Sequence, residues 1–162
     1  MVKSSDDVPP CPICGGVLKY RDSRKRICKR EGGAKDHLLI RRFVCCSCKA
    51  HHNELPDCLV PHKHYEAEVI SGVIDGVVTE NDLDSEDYPC RETMKRWKFW
   101  FHKNVPNIEG MIRRVCGKLF PQAALLSSIR EMSVNWLETV ARIIYNSGGK
   151  LFSTGWAYAP DL

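Results

Sequence analysis

Two short cysteine-containing stretches, Cys11-Pro12-Ile13-Cys14-Gly15-Gly16 and Cys45-Cys46-Ser47-Cys48, decide the fold of the first third of the chain. Each stretch contains a cysteine pair with two residues between its members, beside small or turn-forming residues, which is typical of a structural zinc site. Roughly thirty residues separate the pairs, which suits a zinc ribbon with one pair on each hairpin turn. We therefore predict one structural Zn²⁺, held by Cys11, Cys14, Cys45 and Cys48.

The third ligand is ambiguous, because Cys46 also precedes Cys48 and competes with Cys45. Room to turn between the two ligands favours Cys45. His51 or His52 is a further alternative, since imidazole nitrogen is a common zinc ligand. Four available thiolates favour a closed structural site over a catalytic one, which requires an open coordination position.

The remaining cysteines have no paired spacing, and we expect them to be small buried core residues. They are Cys28, Cys58, Cys90 and Cys116. A second metal site is the alternative interpretation for two of them. Its ligands would be Cys28, His37, Cys58 and one histidine from His51, His52, His62 and His64.

The composition is that of a globular protein, with 43% hydrophobic and 27% charged residues among 162. No apolar run reaches the roughly eighteen residues of a membrane span, and the N-terminus lacks the apolar core of a secretory signal. Nine cysteines in such a chain favour a reducing compartment. We expect a cytoplasmic protein without membrane contact, associated with the nucleoid if it binds DNA.

Charge is unevenly distributed around a net value of +4. Segments 19–49 and 91–118 are basic, whereas segment 66–87 contains acidic residues and no lysine or arginine. Two basic segments separated by an acidic one favour two surfaces that face a polyanion. Ordinary solvated faces are the alternative.

The predicted fold class is α+β, with a small zinc ribbon of β-hairpins followed by an all-α domain resembling a helix-turn-helix. The four segments are a flexible lead-in over 1–10, the ribbon and connector over 11–61, the helical domain over 62–149 and an irregular tail over 150–162.

Hydrophobic periodicity locates the elements within these segments. Strands are predicted over 17–21 and 37–44, and the charged segment 22–36 is predicted to be a loop or a mobile hairpin tip. Thr79 and Asp82 are expected to open a short acidic helix. The main helices are predicted over 65–77, 90–103, 108–120 and 127–146, with a break at 104–106 and a cap at 147–149.

The helix after Pro89 has the pattern of a recognition helix, with basic groups on one side and Trp97 packed inward. The predicted DNA contacts form two sets. The hairpin set is Arg21, Arg24, Lys25, Arg26, Arg41 and Arg42, and the helix set is Arg91, Thr93, Lys95, Arg96 and Lys98. A basic amphipathic helix in a plain helical bundle is the alternative.

Several motifs also resemble a known family. They are CPxCG at Cys11, Arg41-Arg42-Phe43 before the second cysteine pair, the segment from His51 to Pro61, a helix at Tyr65, and Thr93 with Arg96 and Trp97. This pattern is similar to that of an uncharacterised zinc-ribbon family of Gram-positive bacteria, often linked to transposons and other mobile elements. The resemblance covers roughly residues 11–101, and Cys46 departs from the pattern.

The resemblance implies a DNA-facing protein with a zinc ribbon and a helix-turn-helix, similar to transposase N-terminal regions or transposition accessory factors. We therefore expect a protein of a mobile element that binds double-stranded DNA and acts in transposition, DNA recombination, target selection or regulation. The alternative is an adaptor whose ribbon and acidic segment bind a transposase, recombinase, ATPase or polymerase. The sequence gives no oligomeric state.

Catalysis is not expected, because no cluster of Asp, Glu and His suits two Mg²⁺ ions and no phosphate-binding glycine loop occurs. Asp82, Asp84 and Asp87 are interpreted as solvated carboxylates. Aromatic residues among the basic ones could stack on unpaired bases of RNA. The helical spacing of Trp97, Phe99, Trp100 and Phe101 favours a core position for most of them.

Overall fold

The computed structural model describes residues 8–82, 88–116 and 125–147. Within them a three-stranded antiparallel sheet of order β1-β2-β3 precedes four helices, which confirms the α+β class. The elements are β1 Leu18–Lys29, β2 Lys35–Cys45, β3 His51–Asn53, α1 Ala67–Asp75, α2 Arg91–Cys116, α3 Leu125–Met132 and α4 Trp136–Asn146. No helix of these residues is both long and apolar enough to span a bilayer. The predicted tail and most of the predicted lead-in lie outside the described residues.

Strands β1 and β2 form one long hairpin that closes through a single 3₁₀ turn, Glu31–Gly33. The loop predicted over 22–36 is therefore wrong, because the strand pairing continues up to this turn. The prediction failed because the strand-like alternation of buried and exposed side chains is difficult to recognise in so highly charged a segment. Cys28 and Ile40 are both buried at 1% exposure on one face of the hairpin, so the charged residues between them can lie in paired strands.

The closed end of the hairpin is fixed to the helical part of the chain. The N–H of Lys29 donates to the carbonyl of His64 at 2.6 Å, and the N–H of Glu66 donates to the carbonyl of Lys29 at 3.0 Å. The Tyr88 hydroxyl donates to Glu31 Oε1 at 2.6 Å. The mobile tip expected here is therefore a docked end that links the ribbon to the helices.

Helix α2 contributes five buried residues to the core of the helical part of the chain. Its buried residues are Met94, Trp97, Phe101, Ile108 and Ile112. The helix continues through Pro106, where we predicted an end. A proline inside a helix costs roughly 3 kcal/mol, but both halves of α2 bury one stripe in the same core. The Asn104 side chain also donates to the carbonyl of Trp100 at 2.8 Å, next to the proline.

A break at residues 133–135 divides the long final helix that we predicted into α3 and α4. Asp75 at the end of α1 holds the two pieces, since its carboxylate accepts from Arg130 at 2.5 Å and from Trp136 Nε1 at 2.7 Å. Met132 lies inside the helix predicted over 127–146 but is 86% exposed where α3 ends. The sequence periodicity did not reveal this change of phase.

The acidic segment after α1 is only partly described. Gly76, with a φ of 76°, ends α1 before the predicted boundary. The N–H of Thr79 then donates to Asp82 Oδ2 at 2.5 Å, so the two residues of the predicted N-cap pair do contact each other. No helix follows within the residues described up to 82, and Asp84 and Asp87 lie outside them.

Candidate metal centre and basic surface

Four thiol groups converge at the open end of the hairpin. The sulfurs of Cys11, Cys14, Cys45 and Cys48 all lie within 4.8 Å of one another. The Cys11–Cys48 distance is 3.7 Å and the Cys14–Cys45 distance is 3.5 Å between sulfurs. A tetrahedron with Zn–S bonds of about 2.3 Å has S–S edges of about 3.8 Å. The cluster could therefore hold a metal ion, and its geometry fits the predicted ligand set.

The two cysteine turns are built by the same backbone hydrogen bonds. Cys11 donates to the carbonyl five residues later and accepts from the N–H four residues later, both at 2.8 Å. Cys45 makes the same two bonds at 2.9 and 3.1 Å. The residue at the fifth position, four residues after the first cysteine, has a positive φ in both turns, 72° at Gly15 and 59° at Lys49. The turns are thus two copies of one structure that face each other.

The geometry shared by the two turns distinguishes the four clustered cysteines from the alternative ligands. Cys46 occupies the second position of its turn, is exposed and lies outside the four-thiol group. His52 Nε2 lies 3.3 Å from the sulfur of Cys11. This geometry fits an N–H···S hydrogen bond that supports a ligating thiolate. His51, its neighbour on β3, instead contacts an arginine of β1.

Gly16 allows the two turns to approach each other. A Cβ at this position would lie 3.0 Å from the Cβ of Ser47 and 3.2 Å from the sulfur of Cys45. Both neighbours are fixed parts of the second turn, so any larger residue would push a ligand away. The glycine pair after Cys14 therefore has two different roles, since Gly15 adopts the left-handed backbone and Gly16 provides space.

The electrostatics of the cluster favour a bound cation. The N–H of Cys48, followed by that of Ser47, lowers the pKa of the Cys45 thiol to about 6. The N–H of Ala50 also acts to lower the pKa of Cys48, but desolvation and the neighbouring thiols outweigh it and raise that pKa to about 12. One thiolate thus suppresses the ionisation of the next. A divalent cation removes this conflict, because it binds the cysteines as thiolates.

The second metal site considered from the sequence is not assembled in the described part of the chain. His37 pairs with Ile27 and lies on the hairpin face opposite to Cys28. Burial raises the pKa of the Cys28 thiol to about 12, as expected for a core cysteine. Cys58 is half-buried beside it. Cys90 is exposed, so our prediction that it is a core residue was wrong.

Three of the arginines predicted to contact DNA each donate two hydrogen bonds to acceptors inside the protein. Arg41 binds both carboxylate oxygens of Glu54, with 2.6 Å between Nη2 and Oε1. Arg42 binds both oxygens of Asp22 at 2.5 Å. Arg26 donates to two backbone carbonyls of the connector after β3. These side chains hold the hairpin and the connector together.

The other members of the hairpin set are more accessible. Arg21 is exposed and lies within hydrogen-bonding distance of His51 and 3.8 Å from Asp22. Arg24 and Lys25 are exposed as well. Neither of these two forms an ion pair with another described residue.

The N-terminal half of α2 presents a basic face to solvent. Its cations are Arg91, Lys95, Arg96, Lys98 and Lys103. None of them forms an ion pair within residues 8–82, 88–116 and 125–147. Thr93, also predicted to contact DNA, is half-buried, and its hydroxyl lies 3.2 Å from the sulfur of Cys90. Trp97 is 3% exposed, so it packs inward as predicted.

One tyrosine joins the hairpin to this helix. The ring of Tyr65 packs edge-on against Trp97, with centroids 5.4 Å apart, and Lys29 Nζ lies 4.9 Å from the Tyr65 centroid. Nearby, burial and then the charge of Arg96 lower the pKa of Lys63 to about 8. The hairpin, connector and α2 therefore bring their basic residues close together.

A model of the family described as a domain of unknown function, DUF6431, matches residues 11–97, more than half of the chain. The chain belongs to the DUF6431 family. No curated protein and no solved structure matches it. The DUF6431 span contains the thiol cluster, the hairpin, α1 and the first turns of α2. The four-cysteine cluster and the start of the basic helix thus lie together in the family domain.

The helix-turn-helix of this DUF6431 protein stays a prediction. The connection between α1 and α2 runs over residues 76–90, whereas a helix-turn-helix has a turn of about three or four residues. A turn that short joins α3 to α4 instead. On α4, however, the exposed Arg142 already pairs with Asp57 at 2.5 Å. The basic face of α2 therefore presents more cations without an ion-pair partner among the described residues than α4 does.

Proposed function

We propose that this protein binds double-stranded DNA through α2 and the β1–β2 hairpin, and that a structural Zn²⁺ at the four-cysteine cluster fixes the hairpin. The observation that carries the proposal is the basic face of α2, whose cations have no ion-pair partner among the described residues. Two hairpin arginines differ from these cations, because Arg41 and Arg42 each bind both oxygens of a carboxylate inside the protein. Cations without an internal partner suit phosphate groups.

The proposed zinc would be held by Cys11, Cys14, Cys45 and Cys48. Four thiolates close the coordination sphere, so the ion supplies folding energy, for which apparent values of about 10–16 kcal/mol are typical. The three-stranded sheet buries too little apolar surface to replace this contribution. Zinc binding therefore positions Arg24 and Lys25 relative to α2.

The two parts of the surface have different proposed tasks. Arg24 and Lys25 on the hairpin contact phosphates, which positions the protein but does not read sequence. Arg91 and Lys95 in the first turns of α2 reach base edges in the major groove, where a basic side chain prefers guanine. Insertion of this helix as in a helix-turn-helix is part of the proposal.

The biological setting that we propose is a mobile genetic element, with the protein as a transposition accessory factor or regulator. The resemblance of the cysteine pairs and of Thr93, Arg96 and Trp97 to a transposon-linked family supports this setting. A selection from a randomised duplex library by the zinc-loaded protein tests sequence reading. We expect an enriched motif, and retained DNA without any enriched motif would contradict the reading role of Arg91 and Lys95.

A second experiment tests the surface itself. The double variant Arg96→Gln/Lys103→Gln removes two exposed cations of α2 that are not assigned to base edges. The matched control, Lys49→Gln/Arg114→Gln, removes two exposed cations outside strands β1 and β2 and outside the N-terminal half of α2. Each lost phosphate contact should reduce the salt dependence, the slope of log K against log salt, by about 0.9. We expect a reduction of about two for the first variant and no change for the control. Equal slopes in both variants would contradict the proposed surface.

An adaptor function is the second candidate, because apolar side chains are exposed near the α3–α4 turn. Val77, Met132 and Val134 are all highly exposed, and Asp75 links the end of α1 to both α3 and α4. Such a patch suits a protein partner. The acidic segment proposed for the same task lies largely outside the described residues. A purified transposase or ATPase that binds the wild type but not Met132→Asp would favour this function.

A further inference from the structure

The exposed aromatic side chain on the basic face of α2 is unusual for this helix. Phe99 is 69% exposed, whereas Trp97 and Phe101 beside it are 3% and 1% exposed. The sequence shows four aromatic residues within positions 97–101 and does not reveal which of them reaches solvent. The structure makes Phe99 the outward-facing one.

The surroundings of Phe99 are basic on every side of the helix surface. Residues three and four positions away are its neighbours on a helix, and here they are Lys95, Arg96, His102 and Lys103, all exposed. Lys103 Nζ lies 5.9 Å from the centre of the Phe99 ring. No carboxylate occurs among these neighbours, so the ring lies within a positively charged patch.

The nearest acidic residues of α2 lie farther away on the helix. Glu92 lies two turns before Phe99, near the helix N-terminus. Glu109 accepts from Arg113 at 2.8 Å and from the N–H groups of Leu125 and Leu126 at 3.0 and 2.7 Å. This carboxylate is therefore committed to holding α3 and does not neutralise the patch.

We propose that Phe99 is a stacking platform for an unpaired base of single-stranded DNA, for example at a junction with duplex, while the surrounding cations bind the adjacent phosphates. The inference rests on the proposed DNA-binding function and adds the class of DNA structure recognised. An aromatic ring stacks on any base because every base has a π-face. A fully paired duplex presents its bases stacked on one another and gives Phe99 no such face.

The charge of the patch decides between a nucleic acid and other occupants. A protein partner that covers an apolar ring would need acidic groups against at least three surrounding cations. A single strand supplies both components, since its bases are flat and its phosphates follow at every nucleotide. The geometry of one ring between cations therefore fits a nucleotide strand better than a purely apolar surface.

The experiment compares Phe99→Ala, Phe99→Trp and a control, Met132→Ala, which removes another exposed apolar side chain outside the basic face. The zinc-loaded full chain binds three DNA probes, which are a blunt duplex, the same duplex with a single-stranded extension, and the single strand alone. We expect Phe99→Ala to weaken binding to the extended duplex and the single strand about tenfold. Binding to the blunt duplex should change less than about twofold, and Phe99→Trp should restore wild-type affinity.

A direct readout of stacking accompanies the affinities. A 2-aminopurine in the single-stranded extension should lose fluorescence on binding to the wild type and to Phe99→Trp, and should keep it with Phe99→Ala. Equal affinity losses of Phe99→Ala on all probes, or an unchanged 2-aminopurine signal, would overturn the stacking role while duplex binding itself persists. Loss of all DNA binding in the wild type would instead overturn the proposed function. A single-stranded RNA probe that binds tighter than DNA would overturn the assignment to DNA.

Discussion

Lys49 adopts the same left-handed backbone conformation in the second cysteine turn that Gly15 adopts in the first, with φ values of 59° and 72°. The two positions also share the hydrogen bond that closes each turn. A residue with a Cβ is strained there, whereas glycine is not. The chain therefore contains one relaxed and one strained copy of the same turn.

This relationship predicts opposite effects of two substitutions. Lys49→Gly should raise the free energy of unfolding by about 0.5–1 kcal/mol, because it relieves the left-handed strain. Gly15→Ala should lower it by about 1–2 kcal/mol, purely through backbone strain, since no atom lies within 4 Å of the added Cβ. Urea denaturation of the zinc-loaded protein measures both. Equal destabilisation by the two variants would contradict the equivalence of the turns.

A second prediction separates the metal ligands from the neighbouring cysteine. Cys14→Ser should abolish stoichiometric zinc and unfold the hairpin, because three thiolates leave an incomplete site. Cys46→Ser, the matched control, should keep one zinc ion per chain, since Cys46 is exposed and outside the cluster. Metal content by elemental analysis and strand content by circular dichroism test this assignment. Zinc retained by Cys14→Ser would refute it.

The hydrogen bond between His52 and Cys11 leads to a third prediction. Outer-shell partners of metal ligands typically contribute 10–100-fold to metal affinity, so His52→Ala should weaken zinc binding about tenfold. His51→Ala is the control, because His51 contacts Arg21 and not the cluster. Competition with a chromophoric chelator gives both affinities at one pH. If the two variants bound zinc equally well, the N–H···S bond would have no supporting role.

Glu138 on α4 provides a prediction about pH. Burial, followed by the charges of Asp57 and Glu68, raises the pKa of its carboxyl. Arg142 acts in the opposite direction, and Glu66 adds to the rise. The folded protein thus holds this proton more tightly than the unfolded chain. The carboxylate form destabilises the fold, and this penalty grows as the pH rises from the ordinary to the raised pKa.

Glu138→Gln should therefore stabilise the protein at pH 7.5 by less than about 1 kcal/mol, since the group is partly solvated. The gain should become smaller towards pH 5. Urea denaturation at both pH values with excess zinc measures the difference, and Glu131→Gln, at an exposed position of α3, is the control. A gain that increased at the lower pH would show that the carboxylate is stabilising.

The sequence alone predicted which four cysteines converge into a cluster that could hold a metal ion, because a thiolate site requires a spacing that is local to each turn. It also predicted that Trp97 packs inward and that the chain changes from strands to helices. The alternative ligand Cys46 could not be excluded from spacing. Only the copied turn geometry, in which Cys46 lies at an outward second position, removed it from the four-thiol group.

The tertiary structure decided which charged and aromatic side chains are available. Arg26, Arg41 and Arg42 match the exposed basic residues in sequence, yet each finds an acceptor inside the protein that only the folded hairpin brings near. The tertiary structure also decided that the helix continues through Pro106. Burial of both halves of α2 in one core outweighs the helix-breaking tendency of the proline. Local spacing determined the cysteine turns, and contacts between distant segments determined which residues of the basic surface face solvent.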